Sequence, residues 1–273
     1  LELGPLKERI LDAGHILGAA MVEVSLPNGD SPRSLIFSGD IGQWDRPILR
    51  DPTVFHHTDY LVMESTYGTR AHENNGDLEG QLAAVVNETV AAGGNLVVPV
   101  FAIERTQELL YYLGRLIRQH RVPSVPVFLD SPMAAHVNEV FARHSECFDA
   151  EMAREAANGQ APLEPPGLTT IDSVEQSRAL NEQSGPAVIL ATSGMCVAGR
   201  INGELRHNVT RPESTSLFVG FQARGTLGRQ ILDGNEEVRI HGRYWPVRAQ
   251  IREIRGFSGH LDQPGLMRWL DAL

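Results

Sequence analysis

The chain has 273 residues, 42% hydrophobic and 21% charged, with a net charge of −10. That length suits one large domain or two modest ones, and the composition excludes wholesale disorder. No apolar run approaches the ~18 residues of a spanning helix, and the acidic balance excludes a sequence-tolerant nucleic-acid coat built on Lys and Arg. It leaves room for a nuclease, because carboxylates that hold cations count against net charge while the cations restore positive potential locally. The two cysteines, Cys147 and Cys196, are far apart and in no CxxC, which predicts reduced thiols in a cytoplasmic protein rather than a disulfide framework. Residues 1–5 carry no basic leader or apolar signal core. The sequence opens without an initiator Met, as a processed or cut chain does.

In chain order, residues 20–26 predict a strand and 27–30, Pro-Asn-Gly-Asp, a turn. Residues 34–38 and 59–64 read as two more strands, and three strands so close in sequence suggest the edge of a sheet. From about residue 76 the pattern becomes strand–helix alternation. Helices are expected over 81–92, 104–119, 134–144, 199–207 and 227–232, with strands at 95–100, 126–130, 187–191 and 216–220. This predicts a parallel α/β sheet with helices on both faces. Residues 151–168, rich in Ala, Pro and Gly, read as an exposed connector, and 238–254 as a hairpin. An amphipathic helix over 263–273 still runs where the sequence stops, which implies a further strand after it.

Three polar groups cap three of the early apolar strands. His15 lies in Gly14-His15-Ile16-Leu17-Gly18, where glycines let the backbone approach closely. Asp40 ends Ser38-Gly39-Asp40, and Glu64 opens Glu64-Ser65-Thr66-Tyr67-Gly68. An imidazole and a carboxylate suit zinc, and a second carboxylate can orient a ligand or a water. Each alone fits a structural histidine or a plain turn; the composite is the stronger signal. A fourth site, Phe257-Ser258-Gly259-His260-Leu261-Asp262, offers either a histidine proton donor or simply a helix cap built on Asp262 with Pro264 in the first turn. Ser193 and Gly194 lie between a buried strand and a helix, where backbone N–H groups can bind phosphate, although an ordinary turn fits equally. Arg224-Gly225-Thr226 is a similar junction, and Asp130-Ser131-Pro132 reads as a helix cap with Pro at its first position.

Taken in order, Ala13-Gly14-His15-Ile16-Leu17-Gly18-Ala19-Ala20, Ser38-Gly39-Asp40, Glu64-Ser65-Thr66-Tyr67-Gly68 and Phe257-Ser258-Gly259-His260 resemble the β-CASP family of metallo-β-lactamase-fold nucleases. The resemblance covers essentially the whole chain. It implies a partial metallo-β-lactamase αββα sandwich (1–69, returning over 248–273) with an inserted parallel α/β β-CASP domain (70–247) forming one wall of an RNA groove. It also implies that His15 is a zinc ligand and Asp40 a carboxylate bridging two zinc ions. Glu64 would support the metal-site histidines, and His260 would assist phosphate binding and leaving-group protonation. Ser258 and Gly259, with Ser193 and Gly194, would contact RNA phosphate. The implied activity is zinc-dependent phosphodiester hydrolysis of single-stranded RNA, in the cytoplasm, with no membrane partner and with a homodimer compatible.

Departures from the family pattern bear on activity. The main zinc motif, His-x-His-x-Asp-His, has no match in residues 1–14, and the C-terminal motif histidine has none before Leu273. Only His15 and Asp40 of the implied ligands remain, so this chain alone is expected to be metal-poor and inactive. A DNA nuclease of the repair branch and a non-catalytic subunit binding RNA or a partner nuclease stay open as alternatives.

Overall fold

The computed structural model describes residues 2–3, 6–29, 31–72, 76–182 and 185–273. Asp30, the last residue of the expected 27–30 turn, lies outside them. In chain order the elements are β1 (Glu2–Leu3), β2 (Leu6–Asp12), β3 (Ala20–Leu26), β4 (Arg33–Phe37), β5 (Tyr60–Val62), α1 (Leu78–Ala91), β6 (Leu96–Pro99), α2 (Arg105–Arg118), β7 (Val127–Asp130), α3 (Pro132–Arg143), α4 (Ala150–Ala157), β8 (Leu168–Thr170), α5 (Val174–Ala179), β9 (Val188–Ala191), α6 (Ile201–Asn208), β10 (Thr215–Phe218), α7 (Leu227–Leu232), β11 (Glu237–Ile240), β12 (Arg243–Pro246), β13 (Gln250–Glu253) and α8 (Gln263–Leu270). They form two compact units: Leu1–Glu73 with His144–Asn158 and Ser258–Leu273, and Asn74–Arg143 with Gly159–Phe257.

The first unit is a five-stranded sheet in chain order, antiparallel except for the β4–β5 pair. Side chains alternate across it. Met21 and Ile36 point to one face, where Ala13, Ile41 and Phe55 join Leu261, Leu266 and Trp269 around α8 in a buried cluster. The Trp269 indole N–H donates to the Thr53 carbonyl at 2.8 Å, satisfying the one polar atom of a fully buried ring. The opposite face carries Ile10, Val22, Phe37 and Val62 in register across four strands; Ile10 is 63% exposed and Val62 53%. Residues 144–158 join this unit through a bridge between Leu49 and Phe148 and a bond from the Asp149 amide to the Ile48 carbonyl.

The second unit is a six-stranded, all-parallel sheet in the order β13-β10-β6-β9-β7-β8. Strands β6, β7, β9 and β10 are buried throughout, as a parallel sheet covered on both faces requires. Leu96, Val98, Leu129 and Leu190 pack with Leu82, Leu109 and Leu113 of α1 and α2. The alternate residues Val97, Phe128, Ile189 and Phe218 pack with Ile201, Leu205 and Ile231 of α6 and α7. The expected helix cover on both faces is therefore observed.

Three expectations need correction. The 151–168 stretch is not a uniform exposed connector: it holds most of α4, capped by Asp149, and buries Met152 and Leu163. A short Ala-rich helix with one buried residue leaves almost no periodic trace. The 238–254 stretch is a hairpin only over β11–β12; β13 leaves it to pair in parallel with β10. Residues 248–257 thus lie with the second unit's sheet, and the chain re-enters the first unit at Ser258. The early sheet has five strands rather than three, because β1 is only a two-residue edge and β2, Leu-Lys-Glu-Arg-Ile-Leu-Asp, is too charged to read as a strand.

Candidate metal centre

His15 follows β2 in a tight loop closed by bonds from the Ala13 amide to Ala19 and from the Ala19 amide to Ile16. Gly14 adopts φ +67°, and a Cβ there would stand 2.8 Å from the Pro52 nitrogen. Only glycine meets both conditions. Gly42 presses on the same loop: its Cβ would stand 1.8 Å from the Gly14 carbonyl oxygen, and its amide donates to the Ala13 carbonyl at 2.7 Å. Gly42 also bridges His260 in antiparallel fashion. One glycine therefore fixes the two histidine loops to each other.

Asp40 follows β4, turned by Gly39 at φ +55°. The Ser38 hydroxyl accepts the Glu64 amide at 3.0 Å, tying the end of β4 to the end of β5. The Glu64 carboxylate accepts the Ile41 amide and faces His260 Nδ1 at 3.1 Å. Gly259 makes room for His15, whose Nδ1 would meet a Cβ there at 2.9 Å. The His15 and His260 rings lie 4.2 Å apart, centroid to centroid.

Among the described residues, His15, Asp40 and His260 form the one cluster able to hold a metal ion, with ligand atoms within 4.8 Å of one another. His15 Nδ1 is buried without a hydrogen-bond partner, which suits a nitrogen reserved for a metal. The donor set, two imidazoles and a carboxylate, fits zinc. His260 is the ligand candidate that sequence spacing missed, since its motif reads equally as a proton donor or a helix cap. Asp262 does cap α8, accepting the Gly265 amide at 2.9 Å. Electrostatics separates the two histidines. Burial, then the neighbouring His260, lowers the pKa of His15 and keeps it neutral. The Glu64 hydrogen bond raises that of His260 against the opposing effect of burial. Burial pushes the Glu64 carboxyl up, but bonds from His260 and the Ile41 amide outweigh it and hold the group below the usual range.

Ser258 and Gly259 sit in the His260 loop, with the Ser258 carbonyl accepting from the Gln43 amide side chain at 2.6 Å. Ser193 and Gly194 lie in the second unit, after β9. The Ser193 hydroxyl donates to the Ala198 carbonyl at 3.0 Å, and the Gly194 carbonyl accepts from Gln222 at 2.7 Å. Further residues that the sequence did not single out brace the centre. His72 Nε2 donates to the His260 carbonyl at 2.9 Å, and the His72 amide donates to Asp262 at 2.9 Å. Its signal was present, eight residues past Glu64, but no pattern separated it from other surface histidines.

Residues 106–231 match the Beta-Casp domain, and 244–273 match the Zn-dependent metallo-hydrolase RNA specificity domain. The chain is 38% identical over 272 residues to Ribonuclease TTHA0252 of Thermus thermophilus, covering 100% of this chain and 62% of that protein. It is 33% identical to Transcription termination factor FttA of Methanosarcina mazei, covering 96% of this chain and 42% of the relative. An RNase J-like protein of Methanocaldococcus jannaschii is 29% identical, covering 98% and 61%. The chain thus spans less than two thirds of the length of these relatives. No helix among the described residues is long and apolar enough to cross a membrane. With two family domains matched, four motifs in order and a histidine–carboxylate cluster at their convergence, the chain belongs to the β-CASP family of metallo-β-lactamase-type proteins.

Proposed function

We propose that this chain provides part of the zinc centre and the proton-handling residues of a ribonuclease that hydrolyses phosphodiester bonds in single-stranded RNA. The observation that carries the reading is the convergence of His15, Asp40 and His260 beside Glu64. The relatives' names, a ribonuclease and a transcription termination factor, agree with an RNA substrate. His15 and Asp40 are the ligands. Zinc, when bound, supplies an activated water and charge stabilisation on the phosphate. With Nδ1 on Glu64, His260 has one nitrogen left, which either joins the ligands or carries a proton to the leaving oxygen. Its raised pKa favours the proton, as a general acid near neutral pH requires. Glu64 orients that imidazole and stabilises its charged form. Ser258 and Gly259, together with Ser193 and Gly194, are assigned to RNA phosphate.

Two donors, His15 and Asp40, or three if His260 joins them, hold zinc less tightly than the four of a closed site, so this chain by itself is expected to retain zinc weakly and to cut RNA poorly. The full family centre with two ions needs further donors. Zinc analysis after dialysis, with RNA cleavage on the same sample, tests this: near-stoichiometric zinc with cleavage overturns the weak-site reading. In the intact protein, His260→Ala lowers turnover at least ~10-fold while zinc is kept. Unchanged turnover removes the role given to His260, and cleavage of single-stranded DNA in preference to RNA removes the substrate.

A further inference from the structure

The turn that follows Glu64 carries a cation with no assigned task. The Gly68 amide donates to Ser65 at 3.0 Å and the Arg70 amide to Tyr67 at 3.1 Å, while the Arg70 carbonyl accepts the Gln263 amide at 3.0 Å. The Arg70 backbone is therefore held on both sides. Its guanidinium carbon lies 4.5 Å from the Tyr67 ring centroid. That ring in turn stands 4.6 Å from His72 and 6.1 Å from His260. Several exposed arginines elsewhere in this chain meet a carboxylate: Arg9 meets Glu23, Arg229 meets Asp233 and Arg252 meets Glu88. Arg70 makes no ion pair among the described residues. A guanidinium laid on an aromatic face keeps its N–H groups available at its edge, in the fork that matches a phosphate. Tyr67 is already engaged by Arg70 and His72, so this pair offers charge rather than a stacking platform for a base. Near Asp40 and Glu64, an approaching polyanion needs such a cation.

We infer that Arg70, placed over the Tyr67 ring, binds the phosphodiester group next to the one at the metal centre and so sets the path of the RNA strand past it. This rests on the RNA reading above. The test is fluorescence anisotropy of a labelled single-stranded RNA, with EDTA present to prevent cleavage, from 50 to 200 mM salt. Arg70→Ala is expected to weaken binding ~5–10-fold at 50 mM salt and to reduce the slope of log affinity against log salt by about 0.7, the value for one phosphate contact on a single strand. Arg70→Gln, which retains a planar side chain, gives the same loss, and Arg70→Lys keeps the slope. Arg33→Ala is the matched control, since Arg33 also lies over a tyrosine, Tyr60, but at the start of β4, the strand end away from Asp40. It changes affinity less than ~2-fold. If Arg70→Ala and Arg70→Gln keep the full slope, or fall only as far as Arg33→Ala, the assignment is wrong. If the unsubstituted chain binds no RNA at all, the RNA reading itself falls and this inference with it.

Discussion

Glu204 is a carboxyl placed where a charge is costly. It sits on α6, 1% exposed, and one of its oxygens has no hydrogen-bond partner. The nearby Asp130, fully buried, takes the available cation: Arg200 donates to it at 2.7 Å, and the Ser177 hydroxyl donates at 2.7 Å. Burial, then the Asp130 charge, pushes the Glu204 carboxyl up to about 8 from an ordinary 4.5. Below pH 4.5 both folded and unfolded chains hold the proton, and Glu204 costs nothing. As pH rises from 4.5 to 8 the unfolded chain releases the proton while the folded chain keeps it, so stability falls by about 1.4 kcal/mol per pH unit. The loss reaches about 3 kcal/mol at pH 7 and levels off near 5 kcal/mol above pH 8. Glu204→Gln removes this dependence. At ~2–4 °C per kcal/mol for a unit of this size, the melting temperature of the unsubstituted chain falls between pH 5 and pH 8 by roughly 8–16 °C more than that of Glu204→Gln. Calorimetric scans of both proteins over that range measure the difference directly, because every other titrating group is shared. Parallel curves would falsify the argument, showing that water or local rearrangement keeps Glu204 an ordinary acid.

Two further substitutions probe the metal centre from its frame. Gly42→Ala forces a Cβ into the Gly14 carbonyl, and backbone cannot yield as a flexible side chain can. Overpacking of this kind costs about 1–3 kcal/mol or more, so a lower melting temperature and at least ~10-fold weaker zinc binding are expected; an unchanged zinc titration refutes the role of Gly42. Glu64→Gln removes the partner that raises the His260 pKa, so histidine NMR should show His260 titrating at lower pH than in the unsubstituted chain. In the folded protein the charged form of His260 contributes stability that is complete below its unfolded pKa and is lost as pH rises through the raised folded value, and Glu64→Gln should abolish that window. A His260 resonance that does not move would place its charge partner elsewhere.

Much of the second unit was legible because parallel strands buried on both faces appear as continuous apolar runs. Leu96-Val97-Val98 and Val188-Ile189-Leu190 can hardly be anything else, and α2 announces itself through Leu109, Leu113 and Leu116. What escaped is what tertiary contact alone specifies. Strand β2 carries the consecutive charges Lys7-Glu8-Arg9, which hide any apolar alternation, and β8 is a three-residue edge. The attachment of residues 144–158 to the first unit runs through the bridge between Leu49 and Phe148 and backbone bonds between Asp149 and Ile48 and between Arg50 and Cys147, and no local pattern signals a pairing that distant.

The site was legible as residues and not as roles. Gly14, Gly39 and Gly259 each lie beside a functional group for a steric reason, so glycine next to His or Asp was sound evidence of a crowded backbone. But a histidine's two nitrogens do different work according to what each one meets, and that is a three-dimensional fact. His15 lost water and gained a positively inclined neighbour, so its nitrogen stays neutral and able to bind a metal. His260 gained Glu64 on Nδ1 and His72 on its carbonyl, which fixes both its charge and its place. Under the proposed function, the same residue type, in two rings 4.2 Å apart, would be divided between holding an ion and holding a proton. The divider is Glu64, the carboxylate at the end of β5, whose contact with His260 spans 196 residues of sequence.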